Sequence, residues 1–218
     1  MAAIAASVLP PGARDVLDLG CGTGRLARLI AEAHPALAVI GIDISGANIA
    51  AAAVQTPSRV RFEQADYLAF AGGPFDLIVT DGVLHLIPGD TRTLIRKLGV
   101  DLRPGGVLVC CMPYASVYNV ASAGVRRALR LARGTWLDRT ILTVAEWVHG
   151  REMAADDLRE RVHYMYLPPT RMMNGQLRAV MRDAGLQVVG EQPMPSVSLA
   201  QLRHNVTIFR KTSEKSLA

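Results

Sequence analysis

The chain has 218 residues, half of them apolar and a fifth charged, which is enough for one sizeable core and too apolar for a disordered chain. No run of about 18 uncharged apolar residues occurs, which excludes a spanning helix. Basic side chains outnumber acidic ones by 24 to 19. All the basic residues except Lys97, Lys211 and Lys215 are arginine, which fits either a compositional bias or an anionic partner. The apolar start, Met1 to Leu9, is short and has no basic flank, so no signal peptide is expected. Cys21, Cys110 and Cys111 make neither a disulfide framework nor a zinc spacing. No metal is expected, and a reducing cytoplasm is the expected setting.

The first half alternates strand-like and helix-like segments, the pattern of a parallel sheet with helices on both faces. A short apolar run at 16–19 ends in glycines. A helix at 25–33 puts Leu26, Leu29 and Ile30 on one face. Strands are predicted at 38–44 and 60–65, with an alanine-rich helix at 46–54 between them. The continuous run at 75–80 reads as a strand buried on both faces. A helix follows at 90–102, with Asp90 as N-cap. Pro104-Gly105-Gly106 turns the chain into a fifth strand at 107–112.

The pattern then changes. Residues 114–173 contain no clear strand and read as helices at 117–132, 141–150 and 154–164. A further helix at 175–184 has Asn174 as N-cap and Gly185 as its stop. Strands at 186–191 and 205–210 close the chain, and the tail from Thr212 looks frayed. The expectation is a single domain over 1–218 with a helical insertion of about 60 residues, long enough to have structure and a function of its own.

The strongest motif is Asp18-Leu19-Gly20-Cys21-Gly22-Thr23-Gly24, which ends a strand and opens a helix. Glycines let the backbone approach a ligand, and a helix start presents unpaired N–H groups. Asp43 lies 19 residues beyond Gly24 at the end of the next strand, placed to accept from both hydroxyls of a ribose. A dinucleotide fingerprint would place its third glycine at Arg25 or at Ala27, so that reading is weak.

The chain resembles the class I S-adenosylmethionine-dependent methyltransferases. The resemblance rests on residues 16–24, Gly41-Ile42-Asp43-Ile44-Ser45, Ala65-Asp66-Tyr67, residues 75–81 and Leu102-Arg103-Pro104-Gly105-Gly106, in the order and spacing of that family. It implies a Rossmann-like, mostly parallel seven-stranded α/β sheet with an antiparallel terminal strand. S-adenosylmethionine would be the cofactor and S-adenosylhomocysteine its product. Carried over residue by residue, Gly20, Gly22 and Gly24 would hold the methionine and ribose part, with Cys21 packed in the loop. Asp18 would help bind the ammonium, and Asp43 the ribose hydroxyls. Ile44 would pack on the adenine, Asp66 would accept from its amino group with Tyr67 behind it, and Thr80, at the end of the fourth strand, would be a further cofactor-binding residue.

Reaction is expected at the carboxyl ends of the fourth and fifth strands. His85 is the candidate base, or a residue that orients substrate. Asp81 is a candidate for orienting the substrate or the cofactor amine. A reaction by proximity alone needs no base. Thr80-Asp81-Gly82-Val83 lacks the Pro-Pro-aromatic motif of enzymes that methylate base amines, and the cysteines suit packing. Every Tyr and Trp except Tyr67 falls between residues 114 and 166. Among these, Tyr114, Tyr118, Trp147 and Tyr164 are candidate substrate contacts in a pocket roof, against a reading as helix packing that Trp136 and Trp147 share. Arg126, Arg130 and Arg133 read as one helix face, with Arg127 close by. That face is solvated, binds an anion or touches an anionic membrane.

The expected function is methyl transfer to oxygen or nitrogen of a small acceptor, anionic or neutral, and the trans-aconitate methyltransferases are among the similar bacterial enzymes. A macromolecular or peripheral lipid methyltransferase and a non-catalytic cofactor-binding protein stay open. Nucleic acid is disfavoured as a partner, and the sequence does not fix the oligomeric state.

Overall fold

The computed structural model describes residues 1–54, 57–149, 166–195 and 202–212. In chain order the elements are α1 (Ala2–Ser7), β1 (Asp15–Leu19), α2 (Arg25–Ala33), β2 (Ala38–Asp43), α3 (Gly46–Ala53), β3 (Val60–Gln64), β4 (Phe75–Asp81), α4 (Thr91–Asp101), β5 (Leu102–Pro113), α5 (Val117–Leu131), α6 (Thr135–His149), α7 (Gly175–Asp183), β6 (Leu186–Pro193) and β7 (His204–Lys211). The strands form one seven-stranded sheet in the order β3-β2-β1-β4-β5-β7-β6. Strands β1 to β5 pair in parallel, and β7 runs antiparallel to both of its neighbours. This is the Rossmann-like α/β sheet that the sequence predicts.

Side-chain alternation divides the apolar strand residues between two core layers. Leu17, Ile78, Leu108 and Phe209 pack with Leu94 and Leu98 of α4 and with Leu177 and Met181 of α7. Val16, Val39, Leu77, Val107 and Val206 pack on the other face with Ala27 and Ile30 of α2. The helices start where the sequence supplies caps. Ser45, Asp90, Ser116 and Asn174 accept from the amides of Asn48, Thr93, Asn119 and Leu177 at 3.3, 2.7, 3.2 and 2.8 Å. Helix α2 differs. Its N-cap is Gly24, at φ 77°, with no capping side chain, so its first turn is open to the loop before it.

Three differences from the sequence reading have local causes. The apolar start forms α1, whose Ala5 is fully buried against the α2 layer. The Pro-Gly-Gly turn lies inside β5, where the register with β4 slips between Phe75 and Leu77 and Gly105 takes φ 79°. Helix α6 begins at Thr135, six residues ahead of the predicted 141. The predicted helix at 154–164 lies outside the described residues. No helix among those described is long and apolar enough to cross a membrane.

Two features place the functional end. Strand β1 pairs with both β2 and β4, so the connections diverge there and open a crevice at the strands' carboxyl ends. The segment after β5 leaves and returns at that same end, through a parallel bridge between Tyr114 and Met173. The opposite end is closed by polar bonds. Asp76 accepts from the Arg14 and Asp15 amides at 2.8 and 2.9 Å and from Arg103 at 2.8 Å.

Candidate active site

The glycine loop between β1 and α2 is held by its own amides. Gly20 and Cys21 both donate to the Ile42 carbonyl at 2.9 Å, and Gly24 donates to Cys21 at 2.9 Å. Gly22 donates to Asp43 Oδ2 at 2.9 Å. Two of the three glycines serve close packing inside the protein. A Cβ on Gly20 would fall 2.3 Å from Val83, and one on Gly24 would fall 2.3 Å from the Phe62 ring. Only Gly22, at φ 53°, faces open space. The sequence reading gave the backbone of all three to the ligand; at Gly20 and Gly24 the missing side chain also makes room for Val83 and Phe62.

Asp43 is fixed through both oxygens, since Oδ1 also accepts from the Ser45 amide at 2.8 Å. Each oxygen keeps a lone pair for a further donor. Beside it Ile44 is 73% exposed, an uncovered apolar surface next to a carboxylate. Asp18 lies beneath the loop, 1% exposed, and its Oδ2 has no partner among the described residues. Burial raises its pKa to about 7, against a lowering bond from the Ala27 amide, and the charges of Asp81 and Asp43 raise it further. The same burial, with Asp18 and Asp43 nearby, pushes the Cys21 thiol up to about 12, so this cysteine is inert packing.

Asp66 is exposed at the end of β3, where Oδ1 accepts from Leu68 at 2.9 Å and its carbonyl accepts from Ala69 and Phe70 at 3.0 Å. It shapes a turn and has its second oxygen to spare. Tyr67 does not face the crevice. Its ring is buried in the core beneath the Lys97 ammonium, 4.9 Å from the ring centroid. Thr80 is fully buried as well, on the same layer as Ile78, and Asp81, the last residue of β4, is exposed. The Tyr67 and Thr80 side chains thus lie beneath the crevice, behind Asp66 and Asp81.

A second cluster sits where β4 and β5 end and β7 begins. The His85 and His204 rings meet edge to face, 5.5 Å between centroids. His85 is 5% exposed and its Nδ1 has no partner among the described residues. Burial, then the positive fields of His204, Arg126 and Arg171, lower its pKa to about 3. A neutral imidazole carries one ring proton. A sealed N–H without an acceptor is costly, so the proton belongs on Nε2. This environment favours a neutral, hydrogen-bonding His85, the orienting role rather than the base role of the two that the sequence offers. His204 differs: Nδ1 lies 2.7 Å from the Leu202 carbonyl and donates to it, which leaves a lone pair on Nε2. Burial and Arg126 hold its pKa low, while that bond and Asp81 oppose them.

Of the aromatic candidates, Tyr114 is half-buried against the core and Tyr118 lies under Arg203, 4.7 Å from its ring centroid. Trp147 is 87% exposed, and Trp136 is exposed too. Tyr164 lies outside the described residues. Among the described residues no group of three or more His, Cys, Asp or Glu side chains could hold a metal ion.

Residues 16–106 match a family model described as a methyltransferase domain. A trans-aconitate 2-methyltransferase of Deinococcus radiodurans is 42% identical over 99 residues, covering 45% of this chain and 38% of that protein. One from Azoarcus sp. is 39% identical over 128 residues, covering 58% and 48%. The chain thus spans less than half the length of these curated relatives. Among solved structures, N-methyltransferase NodS from Bradyrhizobium japonicum superposes at TM-score 0.62 with 18% identity, covering 97% of this chain and 94% of that one. A Burkholderia thailandensis 1,6-didemethyltoxoflavin-N1-methyltransferase, solved with S-adenosylhomocysteine, superposes at 0.64 with 19% identity over 97% and 76%. Residues 16–106 thus match a methyltransferase domain, and the chain has the fold of these methyltransferase structures.

The residues of this site fit S-adenosylmethionine, the cofactor that the sequence resemblance implies. The unpartnered Asp18 oxygen and the mutual repulsion of Asp18, Asp43 and Asp81 call for positive charge. S-adenosylmethionine carries an ammonium and a sulfonium. The lone pairs of Asp43 and the bare face of Ile44 suit a ribose and its base.

Three residues that sequence reasoning missed hold the other half of the site. Arg171 is buried and donates from Nη1 to the carbonyls of Leu84 and Ile87 at 2.7 Å, and from Nη2 to Gly89 at 3.2 Å. Thr170 donates its amide and hydroxyl to the His85 carbonyl at 2.8 and 2.9 Å. Asn119, fully buried, donates to the carbonyls of Tyr114 and Arg203 at 2.7 Å and accepts from the Arg203 amide at 2.9 Å. It ties α5 to the start of β7. Replacing Arg171 by methionine keeps the stem but strands three carbonyls. The expected cost is about 2 kcal/mol of stability, read by urea unfolding, with faster amide exchange over residues 84–89.

Proposed function

We propose that this methyltransferase domain transfers a methyl group from S-adenosylmethionine to oxygen or nitrogen of a small-molecule acceptor. The observation that carries the reading is the juxtaposition, on one sheet end, of an acidic cradle with a spare carboxylate oxygen and a cluster of uncharged imidazoles. Two curated relatives are named for trans-aconitate, which supports a small acceptor. When bound, the cofactor supplies a methyl group on a sulfonium, which an in-line lone pair of the acceptor takes while the sulfur leaves as the thioether of S-adenosylhomocysteine.

This chain's residues bind and orient. Asp43 accepts from the ribose hydroxyls and Ile44 covers one face of the base. Asp66 offers its spare oxygen to the adenine amino group, and Asp18 and Asp81 counter the positive charge. Tyr114 and Tyr118 flank the acceptor side. His85 donates Nε2–H to the acceptor and keeps it in line. The buried, unpaired thiols support a reducing, cytoplasmic setting.

Methyl-labelled cofactor incubated with a cell extract tests the reading. Label in a low-molecular-weight fraction that survives nuclease and protease is expected. Label in a nuclease- or protease-sensitive polymer, or in extractable lipid, overturns the small-molecule acceptor. Cofactor binding without label transfer marks a non-catalytic protein.

A further inference from the structure

We propose that Arg126, His85 and His204 form a carboxylate-binding subsite at the carboxyl end of the sheet, so that the acceptor is a small molecule bearing a carboxylate. This deepens the methyl-transfer reading and rests on it. Asn119, Ala123 and Arg126 follow one another on α5 at spacings of four and three residues, and so share a face. Asn119 and Ala123 are buried. The Asn119 clamp to Arg203 therefore sets that face against the start of β7, and brings Arg126 inward.

Arg126 is half-buried, and its positive field reaches both imidazoles. Arg127 and Arg130 stay exposed on the same helix. The sequence reading, which grouped Arg126 with Arg130, thus splits on folding: one arginine faces the site and its neighbours face solvent. Arg126 makes a further contact of its own. A guanidinium has five N–H groups and serves more than one partner at once.

The donor set selects the ligand class. A forked guanidinium matches the two oxygens of a carboxylate. The His85 Nε2–H adds a neutral donor without the cost of a second buried cation. His85 is nearly sealed, and its other ring nitrogen has no partner among the described residues, so the ring's only outlet for hydrogen bonding is Nε2. His204, with Nδ1 tied to Leu202, walls the subsite at 5.5 Å from the His85 ring. The charge pattern agrees. Asp18, Asp43 and Asp81 make the cofactor half acidic, which suits a cationic cofactor. The arginine half suits an anionic acceptor.

The test is calorimetric titration of the full chain, saturated with S-adenosylhomocysteine, with trans-aconitate, succinate and benzoate at fixed ionic strength. At least one of these carboxylates is expected to bind, and its methyl ester is not. Arg126→Gln should weaken that carboxylate by about tenfold or more and leave S-adenosylhomocysteine affinity unchanged. Arg130→Gln should change neither. If Arg126→Gln does not fold, Arg126→Lys decides: it keeps the charge, loses the fork, and should weaken binding by roughly three- to tenfold. A protein that binds S-adenosylhomocysteine but none of the carboxylates overturns the subsite alone, as does carboxylate affinity indifferent to position 126. A protein that does not bind S-adenosylhomocysteine overturns the methyl-transfer reading and the subsite with it.

Discussion

Asp43→Ala is expected to weaken S-adenosylhomocysteine binding about a hundredfold, measured by calorimetry. Two losses combine. The carboxylate is placed to accept from two ribose hydroxyls, and hydrogen bonds to a charged group contribute roughly 1.5 to 3 kcal/mol each. About 3 kcal/mol in all corresponds to that factor, at 1.4 kcal/mol per tenfold. The same carboxylate also accepts from the Gly22 and Ser45 amides. Its removal frees the one loop glycine that faces open space and loosens the residue that caps α3. Asp43→Asn keeps an acceptor for one amide but loses the charge, and should fall between, at about tenfold. Unchanged affinity in the alanine variant would sink the ribose placement. A melting temperature close to wild type separates a lost contact from a lost fold.

Where the sequence pattern is local, it reads well. Helix α2 has the predicted bounds, and Asp90 and Asn174 cap their helices, because a cap and its amide lie three residues apart. The glycine loop, Asp43 and the buried β4 follow from spacing and periodicity for the same reason. The acceptor side was not legible, because its bonds join distant stretches of chain. Arg171 reaches the carbonyls of residues 84–89 across more than eighty positions, and Asn119 reaches Arg203 across 84. Nothing local marks an arginine or an asparagine as buried. Residue type alone did not fix the surroundings of Trp136 and Trp147, which are exposed, since an indole is covered only where another element faces it. Tyr67 follows Asp66 in sequence, yet the turn that Asp66 makes sends the ring into the core under α4. Thr80 and Asp81 are likewise neighbours with opposite environments, because Thr80 is still covered by the layer that holds Ile78 whereas Asp81 ends the strand.

S-adenosylhomocysteine affinity should fall about tenfold between pH 8 and pH 6, and Asp18 is the cause. Its pKa is about 7, so the carboxylate is roughly nine-tenths ionised at pH 8 and one-tenth at pH 6. The ligand's ammonium favours the ionised form, and a proton on Asp18 competes with it. Asp18→Asn should bind more weakly and with no such slope. The same variant gives an independent check through stability. The native state holds the Asp18 proton up to about pH 7, whereas an unfolded aspartate releases it near 3.9. Between those values the native state binds more protons, so folding stability drops as pH rises through that window. Removing the ionisation should therefore stabilise the protein by about 4 kcal/mol at pH 8, roughly 3 pK units at 1.36 kcal/mol each, and change little at pH 4, as read from urea midpoints. A variant that is more stable and binds worse is the signature of a carboxylate kept at a cost to folding for the sake of a cationic ligand. If Asp18→Asn leaves both the pH slope of binding and the stability at pH 8 unchanged, the buried charge lies elsewhere and the ammonium site with it.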